Sequence, residues 1–388
     1  MKRLLNSVVV LIIVLVGFTI SYRPADAGAA SKASVKTPTE KAQGAAWKAE
    51  WDKDVEAAKK EGKVLIYSTP SGDVIRAVAS AFEKKYGIKV EWVNGRGEEL
   101  TQRMQTEKNA GIRAVDVIMS GSTTTLTVMK PRGLLGKLGS LLVLPEVIDP
   151  QAWLNNSMPF IDKDRTTIAM LATPQRYVLR NTNLVQQNEI VSYKDLLKPK
   201  WKGKIAMNDP SVAGTANTFF VMLSLEVWGK EETKEFMRQL AKQEPAITRD
   251  RRLQVEWVAR GKYSLSVATN LENAIEFLNL AAPVAFSKVQ EGGMIGAGAG
   301  ALAVPDTVAH PHASKVFVNW LLSKEGHSTF VKAYSSPGAR KDAPREGVPP
   351  QMFPEPDEKF YGDTEESVLF GSEMMKIARE IFAPPQKN

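Results

Sequence analysis

The sequence predicts an α/β fold, and three observations carry that prediction. Val64–Gly97 reads as strand, loop, helix, strand, loop, with Val64–Tyr67 a short apolar run and Ile88, Val90 and Trp92 alternating with Lys89 and Glu91. The same order of strand, polar loop and helix returns at Ala114–Thr124, Ile205–Trp228 and Tyr263–Asn273. The chain is 388 residues long, with 43% hydrophobic and 24% charged residues, which is enough for two domains with cores of their own.

Taken in order, Lys2 and Arg3 precede an unbroken apolar run from Val8 to Phe18, and Ala25-Asp26-Ala27 follows. A basic start, a short apolar stretch and an A-x-A site predict a cleavable secretory signal peptide over residues 1–27. Residues 28–44 are small and polar, a flexible leader. Ala45–Glu61 is a helix with Trp47, Trp51, Val55 and Ala58 on one face. Strand Val64–Tyr67 ends in Ser68–Asp73, whose Ser, Thr, Pro and Gly are turn and helix-cap residues. The next helix carries Val74, Val78 and Phe82 inward and stops at Gly87.

Gly97–Gly111 is a helix, Ala114–Met119 a third strand, and Ser120–Thr124 a third polar loop on the same sheet edge. Leu141–Asp164 is irregular. Thr167–Leu171, Tyr177–Asn181 and Ile205–Asn208 are strands, the last followed by the loop Asp209–Asn217. Helices then cover Thr218–Trp228, Glu231–Gln243 and Gln254–Arg260, and strand Tyr263–Ala268 opens into Thr269–Asn273. The glycine-rich GGMIGAGAG at 292–300 reads as a tight crossover before strand Ala301–Val304. His310–Ser323, Lys324–Tyr334 and Glu365–Phe382 are helices, with a proline-rich arm at Pro344–Pro356.

The chain has no cysteine, which excludes disulfides, thiol catalysis, cysteine metal sites and an N-terminal lipid anchor. The net charge is +8; Lys2, Arg3, Arg23 and Asp26 account for +2, leaving +6 after cleavage. Basic residues are interspersed with acids, as in Lys59-Lys60-Glu61, with no basic helix bearing interleaved aromatics, so nucleic acid is not expected as a partner. No G-x-S-x-G elbow, HExxH or Walker loop is present, and no paired carboxylates stand out as acid and base. No catalytic residue, cofactor or metal site is therefore expected.

Six segments together resemble the extracellular solute-binding proteins of bacterial ABC importers, in the branch of ferric-ion, thiamine and phosphorylated-compound binders. They are Ala57–Tyr67 (AAKKEGKVLIY), Ala81–Val90 (AFEKKYGIKV), Val115–Met119 (VDVIM), Asp195–Lys204 (DLLKPKWKGK), Gly261–Val267 and Ala313–Gly326 (ASKVFVNWLLSKEG). The resemblance implies a two-lobed periplasmic-binding-protein-like fold of type II, with a ligand cleft between the lobes. It implies crossover segments near Pro174–Leu179 and Ala299–Pro305, lobe 1 at 45–172 and 305–388, and lobe 2 at 173–304. It further implies a monomeric periplasmic protein that hands a small solute to permease subunits in the inner membrane.

The residues of the expected cleft suit an anion. Thr69, Ser71 and Gly72, Gly95 and Arg96, and Ser120, Gly121 and Ser122 offer hydroxyl and amide donors on the first sheet edge. Ser211, Gly214, Thr215, Asn217 and Asn270 do so on the second. Arg96, Arg176 and Arg249 offer guanidinium forks for a carboxylate or phosphate, while Asp209 and Glu272 could accept from an amine. Tyr67, Trp92 and Tyr177 are candidates for stacking. The iron binders of that branch use adjacent tyrosines after the strand matching Tyr263–Ala268, where this chain has Thr269-Asn270, so iron is discounted. His310 and His312 read as a solvated helix start and His327 as a helix residue, all away from the cleft loops. The alternatives are a periplasmic lyase or transferase on the same scaffold, or a sensor subunit for a receptor.

Overall fold

A computed structural model describes residues 38–382. The signal-peptide reading of residues 1–27 lies outside the described residues, as does the leader up to residue 37. No described helix is long and apolar enough to cross a membrane. The first half runs α1 (Pro38–Glu61), β1 (Lys63–Ser68), α2 (Gly72–Tyr86), β2 (Lys89–Asn94), α3 (Gly97–Asn109) and β3 (Val117–Ser120). β1 pairs in parallel with both β2 and β3. Val64 and Ile66 are fully buried beneath Ile75, Val78 and Phe82 of α2, which is why β1 is apolar and α2 amphipathic. Gly87 ends α2 at φ 70°, its amide donating to the Glu83 carbonyl at 2.8 Å.

After β3 the chain makes a wide helical turn, Thr124–Met129, and passes α4 (Pro145–Ile148) to reach β4 (Thr167–Ala169) and β5 (Thr173–Gln175). The second half holds β6 (Val178–Asn181), β7 (Ile205–Asn208), α5 (Thr215–Met222), α6 (Lys230–Lys242), β8 (Ala246–Thr248), α7 (Arg251–Ala259), β9 (Leu265–Val267), α8 (Leu271–Asn279) and β10 (Val284–Phe286). The chain returns through β11 (Gly293–Gly296) and β12 (Ala301–Ala303), then α9 (Pro311–Leu322), α10 (Lys324–Tyr334), β13 (Phe360–Gly362) and α11 (Glu365–Phe382).

Two five-stranded sheets result, ordered β2-β1-β3-β12-β4 and β10-β6-β9-β7-β8, each with its own buried core. The loops after β1, β2 and β3 lie on one edge of the first sheet; those after β7 and β9, also parallel neighbours, lie on one edge of the second. A third small sheet, β13-β11-β5, holds the two crossover strands β5 and β11 side by side.

Three expected boundaries move. Residues 38–44, expected in the leader, already belong to helix α1. Ala301–Ala303 pairs with β3 and β4 in the first sheet, so the return crossover is β11, not Ala299–Pro305. The glycine run that reads as a tight crossover carries β11, and its glycines permit close strand packing. A Cβ on Gly293 would overlap the Gln175 carbonyl oxygen, and one on Gly300 would lie 2.5 Å from Leu171 Cγ. Helix α11 was expected with lobe 1, yet its Met374, Ile377 and Ala378 are part of the second core. Gly293→Ala is expected to cost about 1–3 kcal/mol by overpacking this strand pair, visible as a lower urea midpoint with unchanged slope.

Candidate functional site

The first wall is built from the three parallel strand ends. Asn94 Nδ2 donates to the carbonyls of Ser68 (3.0 Å) and Pro70 (2.6 Å), stitching the loop after β1 to the end of β2. Thr69 gives both its amide (2.9 Å) and its hydroxyl (3.2 Å) to the Met119 carbonyl, so it positions the loop. Ser71 precedes α2, is exposed, and makes no side-chain capping bond, leaving its hydroxyl free beside the Gly72 amide. Arg96 precedes α3; its amide donates to Glu99 Oε2 at 3.2 Å, and among the described residues its exposed guanidinium has no carboxylate partner. Gly97 lies so close to Thr124 that a Cβ there would sit 2.6 Å from the hydroxyl, which brings the Gly95–Gly97 loop against the turn after β3. Ser120 is fully buried with an unpartnered hydroxyl, Ser122 is buried too, and the loop reaches the surface of this wall at Thr123.

The second wall departs further from expectation. Asp209 is engaged within its own loop: Oδ1 accepts from the Ser211 amide (2.9 Å) and hydroxyl (2.6 Å), and Oδ2 from Arg249 Nε (2.9 Å). Partial burial pushes this carboxyl up, but the Ser211 hydroxyl and Arg249 hold it below the usual range. Asp209, Ser211 and Arg249 thus satisfy one another. Asn217 is buried with its Nδ2 bonded to the Gly371 carbonyl of α11 at 2.9 Å. Asn270 caps α8, accepting from the Asn273 amide at 3.2 Å.

Gly214 and Thr215 do open α5 at this edge, and the structure adds a residue the sequence reading missed. Arg251, the first residue of α7, places Nη2 only 3.1 Å from where a Cβ on Gly214 would be. No acidic partner is hydrogen-bonded to Arg251 among the described residues. Glu272 is exposed at its tip yet walled by protein; that crowding raises its carboxyl, and the nearby Arg251 pulls it partly back. Tyr334, from α10 of the first lobe, has its phenol raised by burial and by Glu272, partly offset by a hydrogen bond from the Ala299 amide. Glu272 is thus coupled electrostatically to Arg251 and to Tyr334.

Ser122 and Thr123 face Gly214, Asn217 and Thr218 across a gap of about 80 Å³, closed by Asp363 from the turn before α11. Asp363 accepts from the Ala297 amide at 3.2 Å, and burial pushes its carboxyl up to about 6. A larger cavity of about 580 Å³ is lined by Phe160, Leu171, Phe353 and Phe360 together with Arg340, Arg345 and Asp363. It holds none of the donor loops, so the candidate site is the cleft between the two sheet edges.

Arg176 is not in that cleft. Its side chain is 11% exposed, its Nε and Nη2 each 2.5 Å from Glu358, with Nη1 and Nη2 donating to the Gln351 (2.8 Å) and Phe353 (2.9 Å) carbonyls. All three guanidinium nitrogens are engaged, through four of the five N–H donors, so it is a structural clamp. Tyr67 is fully buried with its hydroxyl on Glu107 (2.6 Å), and Tyr177 is buried against Thr218 and Phe219, so neither offers a face for stacking.

A family model described as "Bacterial extracellular solute-binding protein" matches residues 77–355. An "Uncharacterized protein" of Haemophilus influenzae is 24% identical over 284 residues, spanning 71% of this chain and 77% of its own length. Among solved structures, a Trichodesmium protein (FutA) in complex with iron and citrate superposes with TM-score 0.66 at 20% identity, covering 82% of this chain and 99% of its own. The periplasmic binding protein AfuA of Actinobacillus pleuropneumoniae, with fructose-6-phosphate bound, gives TM-score 0.59 at 21% identity, covering 82% and 97%. Ferric iron-binding protein A of Mannheimia haemolytica, in an open conformation, gives TM-score 0.66 at 16% identity, covering 82% and 98%. With the two-sheet fold they share and the family match over most of its length, this chain belongs to the bacterial extracellular solute-binding proteins.

Proposed function

We propose that this protein captures a small anionic organic solute, bearing a carboxylate or phosphate, and delivers it to the permease of an ABC importer. The observation that carries the reading is Arg251 lying against Gly214 at the start of α5, with Arg96 on the first wall, neither of them neutralised by a hydrogen-bonded carboxylate among the described residues. The N-termini of α2 and α3 lie at the strand ends of the first sheet and those of α5 and α8 at the strand ends of the second, and an anion held at such ends gains from both amides and dipoles. Glu272 and the Tyr334 hydroxyl add an acceptor and a donor for hydroxyl or amine groups of an organic solute. The fructose-6-phosphate seen in AfuA is a ligand of this class.

The test is native mass spectrometry of freshly purified protein, followed by thermal unfolding against organic acids and sugar phosphates. A true solute at a hundredfold excess over its Kd should stabilise by about 2.7 kcal/mol. No retained mass and no stabilisation by any anion would overturn the reading.

A second reading, ferric iron, draws on the iron-bound neighbours and on the single Tyr334 phenol beside Glu272. Titration with ferric citrate decides it, since iron on a phenolate produces a visible absorption band and an organic anion does not.

A further inference from the structure

The C-terminal segment crosses from one lobe to the other and does so at three separate places. At the first lobe, Lys130 Nζ bonds Asp162 (2.8 Å), Asp164 (2.8 Å) and Glu365 (2.6 Å), while the Glu365 amide donates to the Ile161 carbonyl at 2.9 Å. These three acids could pass for a cation site, but the Lys130 ammonium already fills it, and its three partners hold that ammonium protonated against burial. At the crossover, β13 adds a third, parallel strand beside β11, the Gly293 amide donating to the Lys359 carbonyl at 2.9 Å. Arg176, beside β5, is clamped by Glu358 from the same segment. At the second lobe, α11 packs on α5 and α6, burying Met374, Ile377 and Ala378, with Asn217 bonded to Gly371.

We infer that residues 355–382 are a strap tying both lobes across the crossover strands, so that the cleft is held nearly formed without solute. The physical reason is the number of links that opening must break. A crossover of two strands rotates by small backbone changes in two short segments. Here any rotation also strains the third strand, the four-bonded Arg176 fork and the Lys130 cluster. It must also shift α11, which packs on α5 and α6 of one lobe and on the Thr124–Met129 turn of the other. Residues 356–382 lie beyond the family match at 77–355, so the restraint rests on this chain's own contacts.

The absence of cysteine makes the test direct. Ile112 on the first lobe and Leu280 on the second are 56% and 73% exposed, and spin labels at Ile112→Cys and Leu280→Cys report the interlobe distance without any solute. With the strap intact, one narrow distance distribution is expected. Gly371→Leu drives a side chain into Asn217, whose Oδ1 lies 2.9 Å from the Cβ position. Arg176→Gln with Glu358→Gln releases the clamp more gently and covers the case in which Gly371→Leu does not fold. Either folded variant should give a distribution roughly twice as broad, as a second interlobe arrangement becomes populated. A parent distribution that is already broad, or folded variants identical to the parent, would overturn the strap. Because no ligand enters the measurement, that failure is separate from failure to bind an anion.

Discussion

Replacing Arg251 with alanine is expected to weaken solute binding by about 1.5–3 kcal/mol, roughly 10- to 100-fold, with little change in the unfolding midpoint. The size follows from removing a charge-assisted bond at a partly desolvated site. The small stability effect follows from Arg251 being exposed and holding no ion pair among the described residues. Titration calorimetry with the solute identified by mass spectrometry measures it. Arg251→Lys should recover only part of the loss, because an ammonium keeps the charge but not the planar fork. Arg96→Ala should cost more than about tenfold from the opposite wall. Arg249→Ala is the internal control. Its guanidinium is 72% exposed and paired with Asp209, so affinity should stay within about threefold. Equal losses at Arg249 and Arg251 would mean that general positive charge, not the position beside Gly214, attracts the solute.

Glu272 sharpens the chemistry of the same site. Its carboxyl interacts electrostatically with Arg251 and Tyr334, so Glu272→Gln removes a negative charge from their neighbourhood. For a purely anionic solute the affinity should rise; for one that also carries an amine it should fall. The direction of the change, read by calorimetry, assigns the solute to one class or the other.

The parallel βα units were legible in the sequence because period-two strands, helical apolar spacing and glycine stops agreed with one another over Val64–Gly97. The loops after β1, β2 and β3 fell where those units placed them. The second wall was harder to read. Arg249 and Arg251 stand two residues apart in a stretch of arginines, and only the fold reveals that Asp209 neutralises the first while the second reaches Gly214. Arg176 sat beside a crossover and looked available, but its partners Gln351, Phe353 and Glu358 come from about 180 residues later, beyond the reach of local pattern. Tyr334 and Asp363 were missed for the same reason: each enters the cleft from an element remote in sequence. Gly293 did leave a signal, since a run of glycines marks close backbone approach as readily as a loop.

Acid should unfold the protein through a group far from the cleft, and a second group should mask part of the effect. His327 is fully buried in α10, edge-on to Trp153, with neither ring nitrogen bonded. Burial, reinforced by the buried Arg340 and partly offset by Asp342, lowers its pKa from 6.5 to about 3. The folded state therefore holds His327 neutral while the unfolded chain takes up a proton below pH 6.5, and stability falls with decreasing pH by up to about 1.4 kcal/mol per unit. Asp363 acts in the opposite sense. Burial raises its carboxyl from 3.8 to about 6, so between those values the folded state binds the extra proton and gains stability as pH falls. Its share is smaller than the shift suggests, because the side chain keeps some contact with solvent. Between pH 6 and about 4 the two groups oppose each other, and the parent should show a shallow pH dependence there. His327→Leu should tilt that dependence toward greater stability at lower pH, and Asp363→Asn should tilt it toward acid lability. Urea unfolding of the parent and both variants from pH 7 to 4 measures the slopes. Parallel curves for all three proteins would mean that neither group changes its protonation on unfolding, and that the acid response belongs to the surface carboxylates instead.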